Sequence, residues 1–224
     1  MKEKLAREVI AMRIAKEFFD GAIVNLGIGI PTLVSSFVPE GMQIIYHTEN
    51  GALGFGPVVR QDELNEKADI DFTNAGGQYL LPKPGMCFFD SAASFDMIRG
   101  GHIDLAVLGA YQVSQSGDLA NWGRPGRPAT GMGGAMDLAT GCRKLIVMMM
   151  HTTKEGEPRI VKKCSFPLTA LNCVDRIFTD IAVIDVTQNG LILSEVAPEW
   201  TADEVQAHTE APLVVSEDLK VIEL

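Results

Sequence analysis

The chain is short of positive charge. Its 224 residues carry 19 lysines and arginines against 29 aspartates and glutamates, a formal net charge of −10. No basic face offsets that excess, which argues against nucleic acid as a partner. A phosphate-bearing ligand would need a locally basic site, or cations from another chain. Long apolar runs are also missing. The longest, Leu145 to Met150, has the length of a strand and cannot cross a bilayer, so no membrane partner is expected. Cys87, Cys142, Cys164 and Cys173 show no C-x-x-C spacing, which supports neither a metal nor a redox pair. They lie in or beside apolar runs and read as small buried thiols of a reducing compartment. Met1-Lys2-Glu3-Lys4 opens an amphipathic stretch containing acids, unlike a secretory signal. A cytoplasmic protein is expected. The dinucleotide fingerprint G-x-G-x-x-G is incomplete, because Gly27-Ile28-Gly29 runs on into Ile30-Pro31-Thr32-Leu33. No internal repeat or low-complexity segment is visible.

What is present is globular. Hydrophobic residues make up 46% of the chain and charged residues 21%, and the length suits a single domain over 1–224 with a sizeable core. Apolar strands alternate with short helices, so the expected fold is α/β around a mainly parallel sheet. Strands are expected over 22–26, 42–46, 86–89, 103–109 and 145–150, with a weak one over 70–73. Residues 159–163 read as a half-exposed strand, and 213–215 as the last strand. Helices are expected over 2–19, from Pro31 to Val38, and over 91–98, 135–140 and 168–178. Residues 60–71, 74–78 and 118–128 read as loops. Gln188-Asn189-Gly190 between two β-like runs signals a C-terminal hairpin. Thr201 and Glu204 form a capping-box pattern for a helix running to about residue 209.

The chemistry centres on Ile44-Ile45-Tyr46-His47-Thr48-Glu49-Asn50-Gly51-Ala52-Leu53-Gly54-Phe55-Gly56-Pro57. An apolar run leads into Glu49, placing that acid just past the carboxyl end of a strand, where ligands bind in open α/β sheets. The following Asn50, Gly51, Gly54 and Gly56 let the backbone turn sharply and a ligand approach closely. Such an acid is either a solvated loop carboxylate or a nucleophile or base held against a glycine wall. A second glycine cluster, Gly131-Met132-Gly133-Gly134, precedes a helix. Its N–H groups suit an anion or an oxyanion, though such clusters are also plain turns. His151 stands at a strand end, where acid–base chemistry competes with a purely structural role.

Thr48-Glu49-Asn50-Gly51, Gly131-Met132-Gly133-Gly134-Ala135-Met136-Asp137-Leu138 and Asn121-Trp122 together resemble the B (β) subunit of family I 3-oxoacid CoA-transferases. Acetoacetate/butyrate and succinyl-CoA:3-oxoacid types are the nearest comparison. The resemblance covers nearly the whole chain. Thr48 replaces the usual serine, which keeps the hydroxyl. Gly77-Gln78 departs from members that carry a lysine there, leaving Lys83 as a substitute contact for CoA phosphate.

The resemblance implies the open Rossmann-like sheet of CoA-transferases and sugar-phosphate isomerases. It implies Glu49 as the nucleophile of ping-pong transfer through a glutamyl-CoA thioester. Asn25, Gly27, Gly29, Asn50, Gly51, Gly131, Gly133 and Gly134 would form the oxyanion and acyl-CoA-binding set. Coenzyme A enters as substrate, with no permanent cofactor and no metal. The implied partners are a separate CoA-transferase A (α) subunit, in an α2β2 or similar oligomer, an acyl-CoA and a small carboxylic acid. An acyl-CoA hydrolase and a non-catalytic ligand-binding domain of the same fold are the alternatives.

Overall fold

The computed structural model describes residues 2–56, 58–59, 63–126 and 131–223. Pro57, Arg60 and Pro128, which figured in the loops above, lie outside the described residues. In the first half of the chain the strands are β1 (Ile23–Leu26), β2 (Ile45–Thr48), β3 (Ala52–Phe55), β4 (Cys87–Phe88), β5 (Leu105–Leu108), β6 (Gln112–Ser114) and β7 (Leu119–Ala120). The second half adds β8 (Lys144–Met148), β9 (Ile160–Val161), β10 (Arg176–Phe178), β11 (Ala182–Thr187), β12 (Gly190–Val196) and β13 (Leu213–Val221). The helices are α1 (Arg7–Ala15), α2 (Leu64–Lys67), α3 (Ser91–Arg99), α4 (Ala135–Gly141) and α5 (Ala202–Ala207).

Ten of these strands form one sheet in the order β13-β12-β11-β10-β8-β5-β1-β2-β3-β4. Its centre, β10-β8-β5-β1-β2, is parallel throughout. Antiparallel pairs flank the centre on both sides. This is the expected α/β architecture, and the β11–β12 hairpin is where Asn189-Gly190 put it. A parallel strand covered on both faces must be apolar at every position, and β5 is buried at all four. Alternation then divides the core. Leu105, Val107, Ile146 and Met148 pack with Ile10 and Ile14 of α1 on one face. Ala106, Leu108, Leu145 and Val147 pack with Ile98 of α3 and Leu138 of α4 on the other.

The chain proceeds outward from β1 to β2, then returns to lay β5, β8 and β10 on the opposite side of β1. The direction therefore switches between β1 and β5, and a crevice opens there at the carboxyl ends of the strands. Gly27 sits at this seam. Its N–H donates to the Val107 carbonyl at 2.8 Å. A Cβ there would lie 2.9 Å from Leu108 Cδ2 and 3.1 Å from the Val107 carbonyl oxygen, so a side chain would wedge the strands apart.

Several expectations are corrected. Residues 2–6 are not helical, because Leu5 N–H donates to the Asp180 carbonyl and Trp200 Nε1 donates to the Glu3 carbonyl. The segment after Pro31 is a 3-10 helix over Ile30–Ser36. Residues 168–178 form no helix. The backbone amides of Thr169, Cys173 and Val174 donate to Leu119 and Gly117 instead, and Asn172 adopts a φ of 47°. Within the stretch read as a loop over 60–71 lies the short helix α2, and 70–73 holds only a bridge from Thr73 to Tyr79. Of 159–163 only Ile160 and Val161 form a strand, both buried, with Lys162 and Lys163 exposed after them. The final strand is nine residues long, far beyond residue 215. Cys87 is exposed and the other three cysteines are half-buried. Among the described residues no helix is long and apolar enough to cross a membrane, and no cluster of His, Cys, Asp or Glu could hold a metal ion.

Candidate active site

The tripeptide Glu49-Asn50-Gly51 is a reversal between antiparallel β2 and β3, where Thr48 pairs with Ala52. A three-residue hairpin needs a positive φ near its end, and Gly51 supplies φ 114°. The loop is tied down on several sides. Gly51 N–H donates to the Thr48 carbonyl at 3.0 Å and the Gly51 carbonyl accepts from Phe89 N–H at 3.0 Å. Thr48 Oγ1 donates to Asn50 Oδ1 at 2.9 Å and accepts from Ala75 N–H at 3.0 Å. Asn50 Nδ2 donates to the Thr73 carbonyl at 2.8 Å. The threonine hydroxyl in place of serine thus retains both contacts.

Glu49 is half-buried and projects into a cavity of about 650 Å³ at the β1–β5 seam. The cavity wall includes Gly27 to Pro31 after β1, Leu108 to Tyr111 at the end of β5, and Met148 to Met150 at the end of β8. Gly131 to Ala135 close it from the α4 side, with Asn121, Trp122, Leu138 and Arg159 completing the lining. A Cβ on Gly134 would stand 3.1 Å from Glu49 Cγ, so glycine leaves room for the carboxylate. Glu49 is the only carboxylate among these lining residues, and none of them is Ser, Thr, Cys, His or Lys.

Behind Glu49 runs a buried polar chain. Asn25 Nδ2 donates to Glu49 Oε2 at 3.3 Å and to His47 Nδ1 at 3.1 Å. His47 Nε2 then lies 3.0 Å from Ser94 Oγ. This arrangement needs a neutral imidazole that accepts at Nδ1 and donates at Nε2. Burial favours that form, pushing the His47 pKa down to about 4. The Asn25 Oδ1 atom is buried without a hydrogen-bond partner.

Of the residues singled out from sequence, Glu49, Gly27, Gly29, Gly131, Gly133 and Gly134 line the cavity, and Asn25 touches Glu49 from behind. Asn50 and Gly51 do not line it. They shape the loop that presents Glu49. The N–H groups of Gly131, Gly133 and Gly134 make no backbone hydrogen bond among the described residues, and φ values of 89° at Gly131 and 55° at Gly133 give this turn its path. Lys83 is exposed and outside the lining. Sequence reading passed over Tyr111, the Met148 to Met150 floor, Arg159 and the His47–Ser94 pair. The signal for His47 was its place two residues before Glu49, at the end of the apolar run that leads into that acid.

His151 does not line the cavity. It is fully buried, with Nδ1 2.9 Å from Thr179 Oγ1 and Nε2 2.8 Å from Thr209 Oγ1, and burial pushes its pKa down to about 3. The structural reading therefore fits its surroundings. A pH dependence of stability follows for both histidines. Their folded pKa values lie below the ordinary 6.5, so between pH 6.5 and about 4 the unfolded chain binds protons that the folded chain does not. Stability is full above 6.5 and is lost as pH falls, by about 1.4 kcal/mol per pH unit for each histidine. Urea titrations across that window are expected to show this slope. His151→Leu should lower stability at pH 7 and also flatten the slope by one proton. An unchanged slope in the variant would show that His151 is not the titrating group.

Comparison with known proteins agrees with the geometry. Residues 7–208 match the coenzyme A transferase family. The B chain of a probable succinyl-CoA:3-ketoacid coenzyme A transferase of Bacillus subtilis is 46% identical over 219 residues, covering 98% of this chain and 99% of the relative. The B chain of a 3-oxoadipate CoA-transferase of Pseudomonas putida is 48% identical over 215 residues, covering 95% of this chain and 98% of the relative. Among solved structures, an acyl-CoA transferase of Escherichia coli, captured as a thioester complex with CoA, superposes with a TM-score of 0.75 at 20% identity. That match covers 100% of this chain and 44% of the longer one, so the present chain corresponds to less than half of that protein.

Proposed function

The chain belongs to the coenzyme A transferase family, on its B (β) side, and we propose that Glu49 is the nucleophile that carries CoA between an acyl-CoA and a 3-oxo or short-chain carboxylic acid. One observation carries this reading. Glu49 is the sole carboxylate of a cavity whose other described lining residues offer no serine, cysteine, histidine or lysine.

A carboxylate nucleophile suits an exchange that needs no ATP. A Glu49 oxygen attacks the acyl-CoA carbonyl carbon, the C–S bond breaks, and CoA thiolate leaves behind an acyl-glutamyl anhydride. The thiolate then attacks Glu49 Cδ, expelling the first acid as its carboxylate and leaving a glutamyl-CoA thioester. The second acid attacks that thioester carbon, and the thiolate, freed again, attacks the new acyl carbonyl and restores Glu49. Each step breaks one activated acyl bond and forms another, which is how covalent catalysis divides a difficult transfer.

The surrounding residues fit these steps. Asn25, held by His47, which Ser94 holds in turn, fixes one Glu49 oxygen and leaves the other toward the cavity. The amides of Gly131, Gly133 and Gly134 are the donors offered to each oxyanion, a role in which fixed N–H groups need no reorganisation. The described lining residues include no second acid or histidine to activate water, which favours transfer over hydrolysis. The half-buried Trp122, its Nε1 bound to the Leu168 carbonyl at 3.1 Å, forms part of the cover that keeps water out. The B-chain relatives imply a separate α chain, and we propose an α2β2 or similar assembly with it, in the cytoplasm.

The decisive test is chemical trapping. The chain is mixed with its α partner and an acyl-CoA, treated with borohydride, digested and analysed by mass. A glutamyl thioester is reduced to an alcohol, whereas a free carboxylate is not. The peptide holding residues 42–60 is expected to carry the reduced side chain at Glu49. Release of CoA with Glu49 unreduced would instead establish direct hydrolysis.

A further inference from the structure

The assignment of Glu49 leaves one charged group in the cavity without a task. We propose that Arg159 anchors the far carboxylate of a dicarboxylic acyl group and is thereby a specificity-determining residue of this site. This deepens the transfer reading and rests on it.

Arg159 is half-buried and lines the same cavity as Glu49. Its guanidinium makes no hydrogen bond or ion pair among the described residues. The contrast with the other half-buried arginines is sharp. Arg13 forks onto Glu195 and also reaches Glu17. Arg176 forks onto Asp185 and also reaches Glu17. Both are stabilised as cations by those partners. Arg159 is shifted the opposite way, by burial first and by the charge of Arg124 second, and the opposing charges of Asp180 and Glu155 do not offset this. Asp180 is already engaged, with Lys4 Nζ at 3.2 Å and the His151 N–H at 2.7 Å. A desolvated guanidinium with no counter-ion is stabilised by any anion that reaches it, and its planar fork matches a carboxylate. In a chain of net charge −10, this is a cation facing the cavity.

The backbone at Arg159 is fixed. Its N–H donates to the His151 carbonyl at 3.1 Å, and its carbonyl accepts from Val113 N–H at 3.0 Å. Arg159 thus sits beyond the end of β8, while Glu49 follows β2. The ends of β1 and β5 lie between them in the sheet, three strand steps or about 14 Å of backbone separation. Both side chains reach inward across that gap. The lining there includes Leu108, Gly109, Ala110 and Met149, which suits the methylenes of a short acyl chain. The phosphates of CoA are a poorer fit for Arg159, because the pantetheine arm separates them from the sulfur that meets Glu49.

The test compares succinate with butyrate, four-carbon acids that differ at the far end in a carboxylate or a methyl. The chain, assembled with its α partner, is assayed as wild type, Arg159→Met and Arg159→Lys. Arg159→Met is expected to lower kcat/KM for succinate on the order of 100-fold, chiefly through KM, with butyrate changed less than about threefold. Arg159→Lys should recover part of the loss, and the melting temperature of both variants should stay near wild type, since the fold uses no contact of this guanidinium. Equal losses on both acids would place Arg159 on CoA or in the fold, and no loss on succinate would remove it from recognition altogether. Either result overturns the proposal, as does a wild-type enzyme indifferent to succinate. Calorimetric binding of succinate against butyrate separates this inference from the reaction it rests on. It reports on Arg159 even if no glutamyl thioester ever forms.

Discussion

Glu49→Ala is expected to lower CoA exchange by roughly ten-thousand-fold or more while leaving the fold intact. The two halves of that statement have separate grounds. Activity falls because no other described residue of the cavity can take the acyl group as a carboxylate. The fold survives because among the described residues Glu49 makes a single side-chain hydrogen bond, the 3.3 Å contact from Asn25, whose Nδ2 keeps His47 as a partner afterwards. Melting within a few degrees of wild type is the check on the second half. Glu49→Asp refines the first, since the carboxylate then withdraws by one methylene from the carbonyl it must attack. A displacement of that size costs on the order of 100-fold in rate. Residual exchange in Glu49→Ala above about one part in a hundred would mean that another group carries the acyl intermediate, well short of the effect expected for loss of a nucleophile.

The contrast between Glu49 and Arg159 shows what a sequence discloses. Glu49 was legible because three local features coincide in the chain: an apolar strand, an acid at its end and glycines after it. The resemblance of Thr48-Glu49-Asn50-Gly51 then chose between nucleophile and solvated acid. Arg159 carries no such signal. It lies 110 residues away in sequence, within an alternating stretch, and its meaning comes from lacking an ion-pair partner, a property of three-dimensional space. His47 is intermediate. Its place between the expected strand and Glu49 was readable, but Asn25 and Ser94 reach it from β1 and α3.

The fold divides in the same way. The buried parallel strands, the Asn189-Gly190 hairpin and the Thr201–Glu204 capping box were readable because local pattern and tertiary demand agree there. Residues 168–178 misled because their apolar spacing suits a helix. Their amides are instead claimed by the carbonyls of Leu119, at Thr169, and of Gly117, at Cys173 and Val174 just after the left-handed Asn172. The glycines of 51–56 misled in the other direction. They read as points where the backbone turns sharply, but Ala52–Phe55 is a strand, with Gly51 and Gly54 absorbing the positive φ values that its sharp entry and twist require.

That last point makes Gly51 the position where the fold is most exposed to a single methyl group. A Cβ built on Gly51 would lie 2.0 Å from the Phe89 carbonyl oxygen, and φ is 114°. Two costs therefore coincide in Gly51→Ala: a backbone conformation that L-residues resist, and a collision with main chain that no rotamer can relieve. Together they amount to about 3 kcal/mol or more, a fall in melting temperature of roughly 6–12 °C for a chain of this size. Gly85→Ala isolates the first cost, because Gly85 has φ 89° and nothing within 4 Å of its added methyl. The difference between the two variants measures the collision alone. Function should follow stability at position 51 but not at 85. Relief of the clash separates the loop from Phe89, which takes away the Phe89 N–H to Gly51 carbonyl bond. Glu49, two residues earlier, then loses the rigid reversal that aims it, and exchange should fall well beyond the folded fraction that remains. Equal melting temperatures for the two variants would show that the 49–51 loop yields easily, and that Asn25 rather than the hairpin fixes the carboxylate.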